Sequence, residues 1–311
     1  MASDSKVKVA VVGVGHLGQH HARIYTEQPG VELVAVADVL EAQRREVGER
    51  LRVPAVADYR ELLGQVDAVS VAVPTLVHHR IAKEFLLAGS DVLVEKPITR
   101  TLQEADDLIA VAAAGKRILQ VGHSERYNGG VQALAERIRD PGFIEVHRMG
   151  PFPGRGIDVD VVLDLMIHDI DIVLTLVKAP VTGVSAVGVP VISGQADIAN
   201  ARLEFASGCV ANITASRVSG ERLRKIRVFQ RDTYFVLDYA TQELHLFQPS
   251  PDAAPGSSRL TRVDIPVAQV EPLRQELADF VSSVRSRRPP LVPGEAGRDA
   301  VAVAAQIIER L

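Results

Sequence analysis

Residues 9–18 read Val-Ala-Val-Val-Gly-Val-Gly-His-Leu-Gly, an apolar run that ends in a Gly-x-Gly-x-x-Gly pattern. A buried strand, a tight turn and the start of a helix are expected in that order, because glycines permit the turn and close packing. Backbone N–H groups and the positive end of the helix dipole would then face the diphosphate of a dinucleotide. This stretch therefore predicts a parallel α/β nucleotide-binding domain.

The choice of dinucleotide depends on Asp38, which ends the next predicted strand about 20 residues after the glycine turn. A carboxylate at this place binds the adenosine ribose hydroxyls and repels a 2′-phosphate, so we expect NAD rather than NADP. Arg44 and Arg45 either soften this preference or form a solvated helix face. The other interpretation is an ordinary tight turn beside a solvated Asp38. The expected cofactor contacts here are Gly13, Gly15, His16, Leu17, Gly18 and Asp38.

The order of strand and helix patterns divides the chain in two. Strands and helices alternate over roughly the first 120 residues, as in a parallel sheet covered on both faces. Short strands with alternating polar and apolar residues follow, which favours an antiparallel sheet with one solvated or partner-covered face. We expect an α/β Rossmann domain over residues 1–122 and an α+β domain, built on a mostly antiparallel sheet, over residues 123–311. The second domain would bind substrate and form a homo-oligomer, either a dimer or a tetramer.

The composition excludes several classes of protein. The 311 residues have a net charge of −4 and no basic tract, so we expect no nucleic-acid partner. Cys209 is the single cysteine, which leaves no intrachain disulfide and no cysteine-based zinc site. No apolar run reaches the ~20 residues that span a bilayer, and the polar N-terminal residues do not form a signal peptide. We expect a cytoplasmic enzyme without a membrane partner.

Two further segments follow predicted strands, at the sheet edge where open α/β sheets bind ligands. Pro74, Thr75 and His78 follow the third strand, where they either lie near the cofactor or cap and flank the next helix. Glu95-Lys96-Pro97 follows the strand after it. Pro97 holds Lys96 extended, and a lysine ammonium there favours a developing alkoxide. Taken alone, this tripeptide is also common in surface turns. We expect Pro74, Thr75, His78, Glu95 and Lys96 to contact the cofactor.

Residues 164–171 read Asp-Leu-Met-Ile-His-Asp-Ile-Asp. On a regular helix, with about 100° of rotation per residue, Asp164, His168 and Asp171 fall within an arc of about 60°. An NAD-dependent enzyme that oxidises an alcohol removes a hydride from carbon and needs a base for the hydroxyl proton. Histidine titrates near neutral pH and suits this task. The alternatives are a helix-capping Asp164 with a core histidine, or a metal site, which one imidazole and two carboxylates disfavour. We expect no metal, and Lys96, Asp164 and His168 as the catalytic residues.

In this order, the glycine turn, Glu95-Lys96-Pro97 and the 164–171 segment resemble the Gfo/Idh/MocA oxidoreductase family along essentially the whole chain. The resemblance implies a Rossmann domain, a largely antiparallel second domain and a catalytic group of lysine, aspartate and histidine. Two positions depart from the family pattern. Met166 stands where the family often has glycine, and Asp-Val-Asp-Val at 158–161 replaces an upstream glycine run. Backbone approach to the substrate is therefore expected to differ from the sugar-binding members.

Segments 122–128, 150–155, 168–172 and 211–217 resemble a narrower branch, the bacterial UDP-N-acetylglucosamine 3-dehydrogenases. This resemblance implies oxidation of a sugar 3-hydroxyl to a 3-keto nucleotide sugar, which a PLP aminotransferase would convert to a 2,3-diamino sugar for lipid A or a related glycan. A diphosphate calls for arginines, and Arg126, Arg148, Arg155 and Arg217 are candidates, each with a surface ion pair as the alternative. The expected substrate contacts are Lys96, Arg126, Tyr127, Asn128, Arg155, Asp164 and His168.

Three other functions stay open on the sequence. A UDP-N-acetylglucosaminuronate dehydrogenase would need a cation for the C6 carboxylate, for which Arg155 is a candidate. A free sugar or inositol dehydrogenase would use the same catalytic residues. A non-catalytic NAD-binding regulator would keep the scaffold, but the presence of Lys96, Asp164 and His168 together disfavours it.

Overall fold

The computed structural model describes residues 6–152, 160–250 and 259–311. Its contacts divide the chain into two compact units. The first unit comprises Met1–Ser124 and Leu273–Val301, and the second comprises Glu125–Pro272 and Ala302–Leu311. This division differs from the expected single boundary at residues 122/123, because a segment near the C-terminus packs with the first unit.

The first unit is built on a six-stranded, all-parallel sheet. Its strands are β1 (Val7–Val12), β2 (Val31–Ala37), β3 (Ala55–Val56), β4 (Ala68–Val71), β5 (Asp91–Glu95) and β6 (Leu119–Gly122). Its first four helices are α1 (Gly18–Glu27), α2 (Glu41–Leu51), α3 (His78–Leu87) and α4 (Leu102–Gly115). The strand order in the sheet is β3-β2-β1-β4-β5-β6. Successive strands are added to one side of β1 up to β3 and to its other side from β4 onward, as in a Rossmann fold. This confirms the predicted fold of the N-terminal domain.

The second unit contains an eight-stranded sheet, in which the pair β7–β10 is parallel and the other pairs of described strands are antiparallel. The strands are β7 (Pro141–Met149), β8 (Val181–Val189), β9 (Ile198–Phe205), β10 (Val210–Ser216), β11 (Leu223–Gln230), β12 (Thr233–Asp238), β13 (Glu243–Pro249) and β14 (Leu260–Ile265). Helices α5 (Gly129–Ala135) and α6 (Ile167–Val177) lie in the same unit, and α6 packs on β7 and β10. The mostly antiparallel second sheet is confirmed.

One face of the second sheet is buried and the other is not. Along β9, every second residue is buried from Ala199 to Phe205, while the residues between them are exposed. On other strands, aromatic side chains form a half-exposed row. Phe143, Phe229, Tyr234 and Phe247 lie on four adjacent strands, with ring centroids 5.8, 5.0 and 4.5 Å apart along the row. We call these four residues the aromatic row.

The chain ends in two helices, α7 (Pro272–Ser286) and α8 (Gly294–Ile308). Leu277, Phe280, Val281 and Val284 of α7 belong to the apolar core beneath the parallel sheet of the first unit, which explains why this helix groups with that unit. Helix α8 begins in the first unit, and its last residues belong to the second. Within the described residues, no helix is both long and apolar enough to cross a lipid bilayer.

Candidate active site

The glycine turn of the first unit lies between β1 and α1, and its three glycines have different surroundings. Gly13 has a φ of +84°, and a Cβ added there would lie 2.6 Å from the carbonyl oxygen of Ala72. A Cβ at Gly18 would lie 1.8 Å from the carbonyl oxygen of Gly13. At Gly15 the nearest described atom, Gln43 Oε1, would be 3.7 Å from such a Cβ. Gly13 and Gly18 are therefore required by the fold, whereas Gly15 leaves an open space that suits a diphosphate.

Asp38 follows β2 and holds the glycine turn. Its Oδ2 accepts a hydrogen bond from the Val14 N–H at 2.9 Å, and its Oδ1 accepts one from the Leu40 N–H at 2.8 Å. A carboxylate has about four acceptor sites, so Asp38 can still accept from the ribose hydroxyls of a dinucleotide. Arg44 donates to the carbonyl oxygen of Val39 at 3.3 Å, and Arg45 pairs with Glu49 at 2.7 Å on the exposed helix face. These residues fit NAD.

His78 links two loops at the carboxyl edge of the parallel sheet. Its buried ring places Nδ1 at 2.9 Å from the carbonyl oxygen of Pro97 and Nε2 at 2.8 Å from that of Val73. Burial lowers the pKa of His78, although both carbonyl oxygens act to raise it. The ring thus ties the segment after β4 to the segment after β5. This is a structural task that the sequence did not reveal. The cofactor contact expected of His78 stays a prediction, as it does for the exposed Pro74 and the half-buried Thr75.

Lys96 is half-buried, and the residues on both sides of it are anchored. Before it, the buried Glu95 accepts a hydrogen bond from His21 Nε2 at 3.0 Å and another from the Lys96 N–H at 3.2 Å. After it, Pro97 is buried, and its carbonyl oxygen lies 2.9 Å from His78 Nδ1. Burial alone would raise the pKa of Glu95, but His21 and the charge of Lys96 hold it below its usual range. The backbone of Lys96 is therefore firmly placed.

The 164–171 segment of the second unit is not a regular α-helix from its start. Residues Val162–Met166 form a π-helical turn, and α6 begins only at Ile167. The expected arc of 60° assumed regular α-helical rotation and is wrong across this turn, because a π-turn bonds i to i+5. Asp164 lies in the π-turn and His168 in the first turn of α6, and both are half-buried. Such turns are frequent at functional sites.

The N–H groups at the start of the π-helical turn are not capped by Asp164, the residue that the sequence offered as a cap. Asp160 Oδ1 accepts from the N–H groups of Val162 at 2.8 Å and Leu163 at 3.1 Å. Asp160 therefore performs the capping that the sequence allowed for Asp164. The catalytic roles expected of Asp164 and His168 stay predictions.

Two of the four arginines considered for a diphosphate are used inside the second unit. The buried Arg148 holds Asp169 through two hydrogen bonds of 2.8 and 2.9 Å and reaches Glu125 at 3.1 Å. The buried Arg217 donates to Asp197 at 2.9 Å. The interpretation of Arg148 and Arg217 as phosphate ligands was wrong, because their guanidinium groups are enclosed and paired with carboxylates.

The remaining predicted substrate contacts have mixed surroundings. Arg126 is half-buried and lies 3.5 Å from the buried Asp171, and Tyr127 is buried. Asn128 caps α5 by accepting from the Gly130 N–H at 2.9 Å, and its amide donates to the carbonyl oxygen of Tyr239 at 2.9 Å. Its observed role is thus structural. Arg155 lies outside the described residues.

Comparison with known proteins identifies the family. The family described as "Oxidoreductase family, NAD-binding Rossmann fold" matches residues 7–123, and the "GFO/IDH/MocA C-terminal domain" matches residues 153–233. The chain is 36% identical to UDP-N-acetylglucosamine 3-dehydrogenase of Acidithiobacillus ferrooxidans, over 97% of this chain and 96% of that protein. It is 29% identical to scyllo-inositol 2-dehydrogenase (NAD(+)) of Bacillus subtilis, over 93% of this chain and 89% of that protein.

The fold agrees with the sequence comparison. A solved structure of the Acidithiobacillus ferrooxidans enzyme, named GnnA, superposes with a TM-score of 0.94, covering 98% of this chain and 97% of that one. The open space at Gly15 and the remaining acceptor sites of Asp38 fit NAD. The chain therefore belongs to the GFO/IDH/MocA family of oxidoreductases and is an enzyme with the NAD-binding Rossmann domain of that family.

Proposed function

We propose that this enzyme oxidises the 3-hydroxyl of a UDP-amino sugar, UDP-N-acetylglucosamine, to the 3-keto nucleotide sugar. The observation that carries this proposal is the similarity to UDP-N-acetylglucosamine 3-dehydrogenase, which extends through both units. Inositol dehydrogenases share less of their sequence with this chain, so a free polyol is the second candidate. A UDP-N-acetylglucosaminuronate dehydrogenase would depend on Arg155 as the cation for the C6 carboxylate. A non-catalytic NAD-binding regulator would have no need of Lys96, Asp164 and His168 together.

The chemistry requires the alcohol carbon to lose a hydride and its oxygen to lose a proton. NAD, when bound, accepts the hydride. In our proposal His168 accepts the hydroxyl proton, a role that normally contributes ~10²–10⁴-fold in rate. Lys96 donates to the same oxygen and stabilises its developing negative charge. Asp164 binds a neighbouring hydroxyl and orients the sugar. Arg126 and Tyr127 are proposed to meet the diphosphate, and Asn128 holds their segment through its hydrogen bonds with Gly130 and Tyr239.

The product defines the next reaction. A 3-keto nucleotide sugar is a substrate for transamination, so we propose a PLP aminotransferase as the consuming enzyme, on a route to a 2,3-diamino sugar of lipid A or a related glycan. We place both reactions in the cytoplasm. We also propose a homo-oligomer, a dimer or tetramer, in which a second copy covers the aromatic row, because half-exposed aromatic surfaces of this kind are typical of interfaces.

The test is NADH formation with NAD and each of three substrates: UDP-N-acetylglucosamine, its C6 uronate and myo-inositol. An aminotransferase with glutamate should be present to remove an unfavourable keto product. The proposal expects turnover with UDP-N-acetylglucosamine at a kcat/KM at least ~tenfold above the other two, a difference of about 1.4 kcal/mol in transition-state binding. A higher kcat/KM for myo-inositol, or for the uronate, would replace the proposed substrate.

A further inference from the structure

Three ionisable side chains meet inside the first unit, away from solvent. His21 lies on α1, Glu95 ends β5 and Glu276 lies on α7. One imidazole nitrogen and one oxygen from each carboxylate lie within 4.8 Å of one another. His21 and Glu276 are fully buried, and Glu95 is 7% exposed. We call these three residues the acid cluster. It lies directly beside the backbone of Lys96, through the hydrogen bond from the Lys96 N–H to Glu95.

The two carboxylates of the acid cluster have unequal surroundings. Glu95 accepts from the His21 ring at 3.0 Å and from the Lys96 N–H at 3.2 Å. Neither side-chain oxygen of Glu276 has a hydrogen-bond partner among the residues that the structure describes. An ionised carboxylate that is buried without a donor is strongly disfavoured. Two carboxylates at this separation also disfavour simultaneous ionisation, so the proton belongs on Glu276.

The pKa directions agree with this geometry. Burial, and then the charge of Glu95, raise the pKa of Glu276 well above its usual range. Glu95 shows the opposite direction, because His21 and Lys96 more than offset the effect of burial.

We propose that Glu276 is a neutral carboxylic acid and Glu95 the one ionised carboxylate of the acid cluster, and that Glu95, held by His21, positions Lys96 and keeps it as an ammonium. The functional part rests on the proposed function, in which Lys96 is the cation beside the reacting oxygen. His21 acts through Glu95, to which it donates a hydrogen bond, and is therefore a positioning residue. An anion beside Lys96 favours its protonated form, which leaves the task of base to His168.

The alternative explanation of the acid cluster is that it binds a divalent cation. One imidazole and two carboxylates are a possible ligand set, but a cation would require both carboxylates to be ionised. The protonation of Glu276 therefore separates the two explanations, and it can be measured without any substrate.

The first experiment is infrared spectroscopy of the full-length protein in D₂O at about pH 8, more than three units above the usual glutamate pKa. The proposal expects the C=O band of a protonated carboxylic acid in the wild type and its loss in Glu276→Gln. The band should persist in the control Glu309→Gln, because Glu309 is exposed. Absence of the band in the wild type overturns the proposal, and so does one metal ion per chain, by elemental analysis, that is lost in Glu276→Gln.

The second experiment follows the pH dependence of kcat/KM. Glu95→Gln removes the anion beside Lys96, and His21→Phe weakens it. The pKa of Lys96 should therefore fall, and the limb of the pH profile that reports Lys96 should move down by about one pH unit. Glu276→Gln replaces one neutral group by another and is the control, so it should keep that limb in place and change turnover by less than about threefold. An unmoved limb in both Glu95→Gln and His21→Phe overturns the positioning role. If the acid band is present but no sugar nucleotide reacts, the proposed function fails while the charge assignment stands.

Discussion

Gly13 and Gly15 stand two residues apart, yet the structure predicts that their alanine variants fail in different ways. Gly13 has a φ of +84°, and its added Cβ would lie 2.6 Å from the Ala72 carbonyl oxygen. The Ala72 N–H itself donates a hydrogen bond to the Val12 carbonyl oxygen at 2.8 Å, so the backbone at Ala72 cannot move freely. Gly15 has neither problem, since its added Cβ would lie 3.7 Å from the flexible Gln43 side chain, the nearest described atom.

The expected free energies follow from these contacts. Gly13→Ala combines left-handed backbone strain of about 1–2 kcal/mol with overpacking of about 1–3 kcal/mol, which gives about 2–5 kcal/mol of lost stability. Gly89→Ala is a matched control, because Gly89 has a φ of +91° and no described atom within 4 Å of the added Cβ. It should lose only the strain of about 1–2 kcal/mol. Gly15→Ala should change stability by less than about 0.5 kcal/mol.

Gly15→Ala, which should barely change stability, should weaken the binding of NAD. A methyl group at Gly15 fills the space where we expect the diphosphate to approach the backbone. Loss of a hydrogen bond to a charged group costs about 1.5–3 kcal/mol, so NAD affinity should fall by roughly 10–150-fold in Gly15→Ala. Gly89→Ala should bind NAD as the wild type does, since Gly89 follows α3 and lies outside the glycine turn.

Urea unfolding of the three variants gives the stabilities, and titration with NADH, followed by its fluorescence, gives the affinities. The account is refuted if Gly13→Ala is as stable as Gly89→Ala, because the close contact with Ala72 would then have no energetic effect. It is equally refuted if Gly15→Ala binds NADH as tightly as the wild type, because the open space at Gly15 would not be the diphosphate site.

Three further predictions concern charged side chains. Asp38→Ser should lower the preference for NAD over NADP at least ~tenfold in kcat/KM, because the carboxylate no longer repels the 2′-phosphate; an unchanged ratio would place the 2′-hydroxyl elsewhere. Asp169→Asn removes the buried carboxylate that Arg148 holds through two hydrogen bonds and leaves Glu125 as its remaining carboxylate, so it should cost about 3 kcal/mol in urea unfolding, the lower end for a broken buried pair; a loss below about 1 kcal/mol would contradict the buried pair. Burial would raise the pKa of Asp197, but backbone N–H groups and Ser193 hold it well below its usual range. Since the folded pKa is the lower one, Asp197 stabilises the fold fully above the unfolded pKa of about 4, and this stabilisation is lost as the pH falls below it. Asp197→Asn should therefore flatten the acid decrease in stability between about pH 5 and pH 2, and an identical decrease in both proteins would argue against this role.

The parts of the molecule that the sequence predicted are those encoded over short distances. The apolar run before Gly13, the glycine spacing and Asp38 are local signals, and each corresponds to a feature of the first unit. The capping box of α4 is another local signal, since a threonine followed three residues later by a glutamate is its sequence pattern, and Thr101 and Glu104 form it. The alternation of polar and apolar residues likewise predicted the second sheet.

The parts that the sequence did not predict depend on contacts between distant segments. His21 and Glu276 meet Glu95 only after α1 and α7 have packed on the same sheet, so no spacing in the chain identifies them. Arg148 and an arginine on the surface look alike until Asp169 is placed beside it. The π-turn at Val162–Met166 escaped because the helical periodicity was assumed to be regular.

The central claim is that a UDP-amino sugar is oxidised with His168 as the base. The most direct measurement is single-substrate turnover of UDP-N-acetylglucosamine by the wild type, His168→Ala and the control His245→Ala, with the keto sugar identified by mass spectrometry. The account predicts one 3-keto product per NADH in the wild type, a loss of ~10²–10⁴-fold in kcat for His168→Ala and near wild-type turnover in the control. Turnover that falls less than about tenfold in His168→Ala, or a wild type that binds NAD tightly but leaves this sugar nucleotide unchanged, would contradict it.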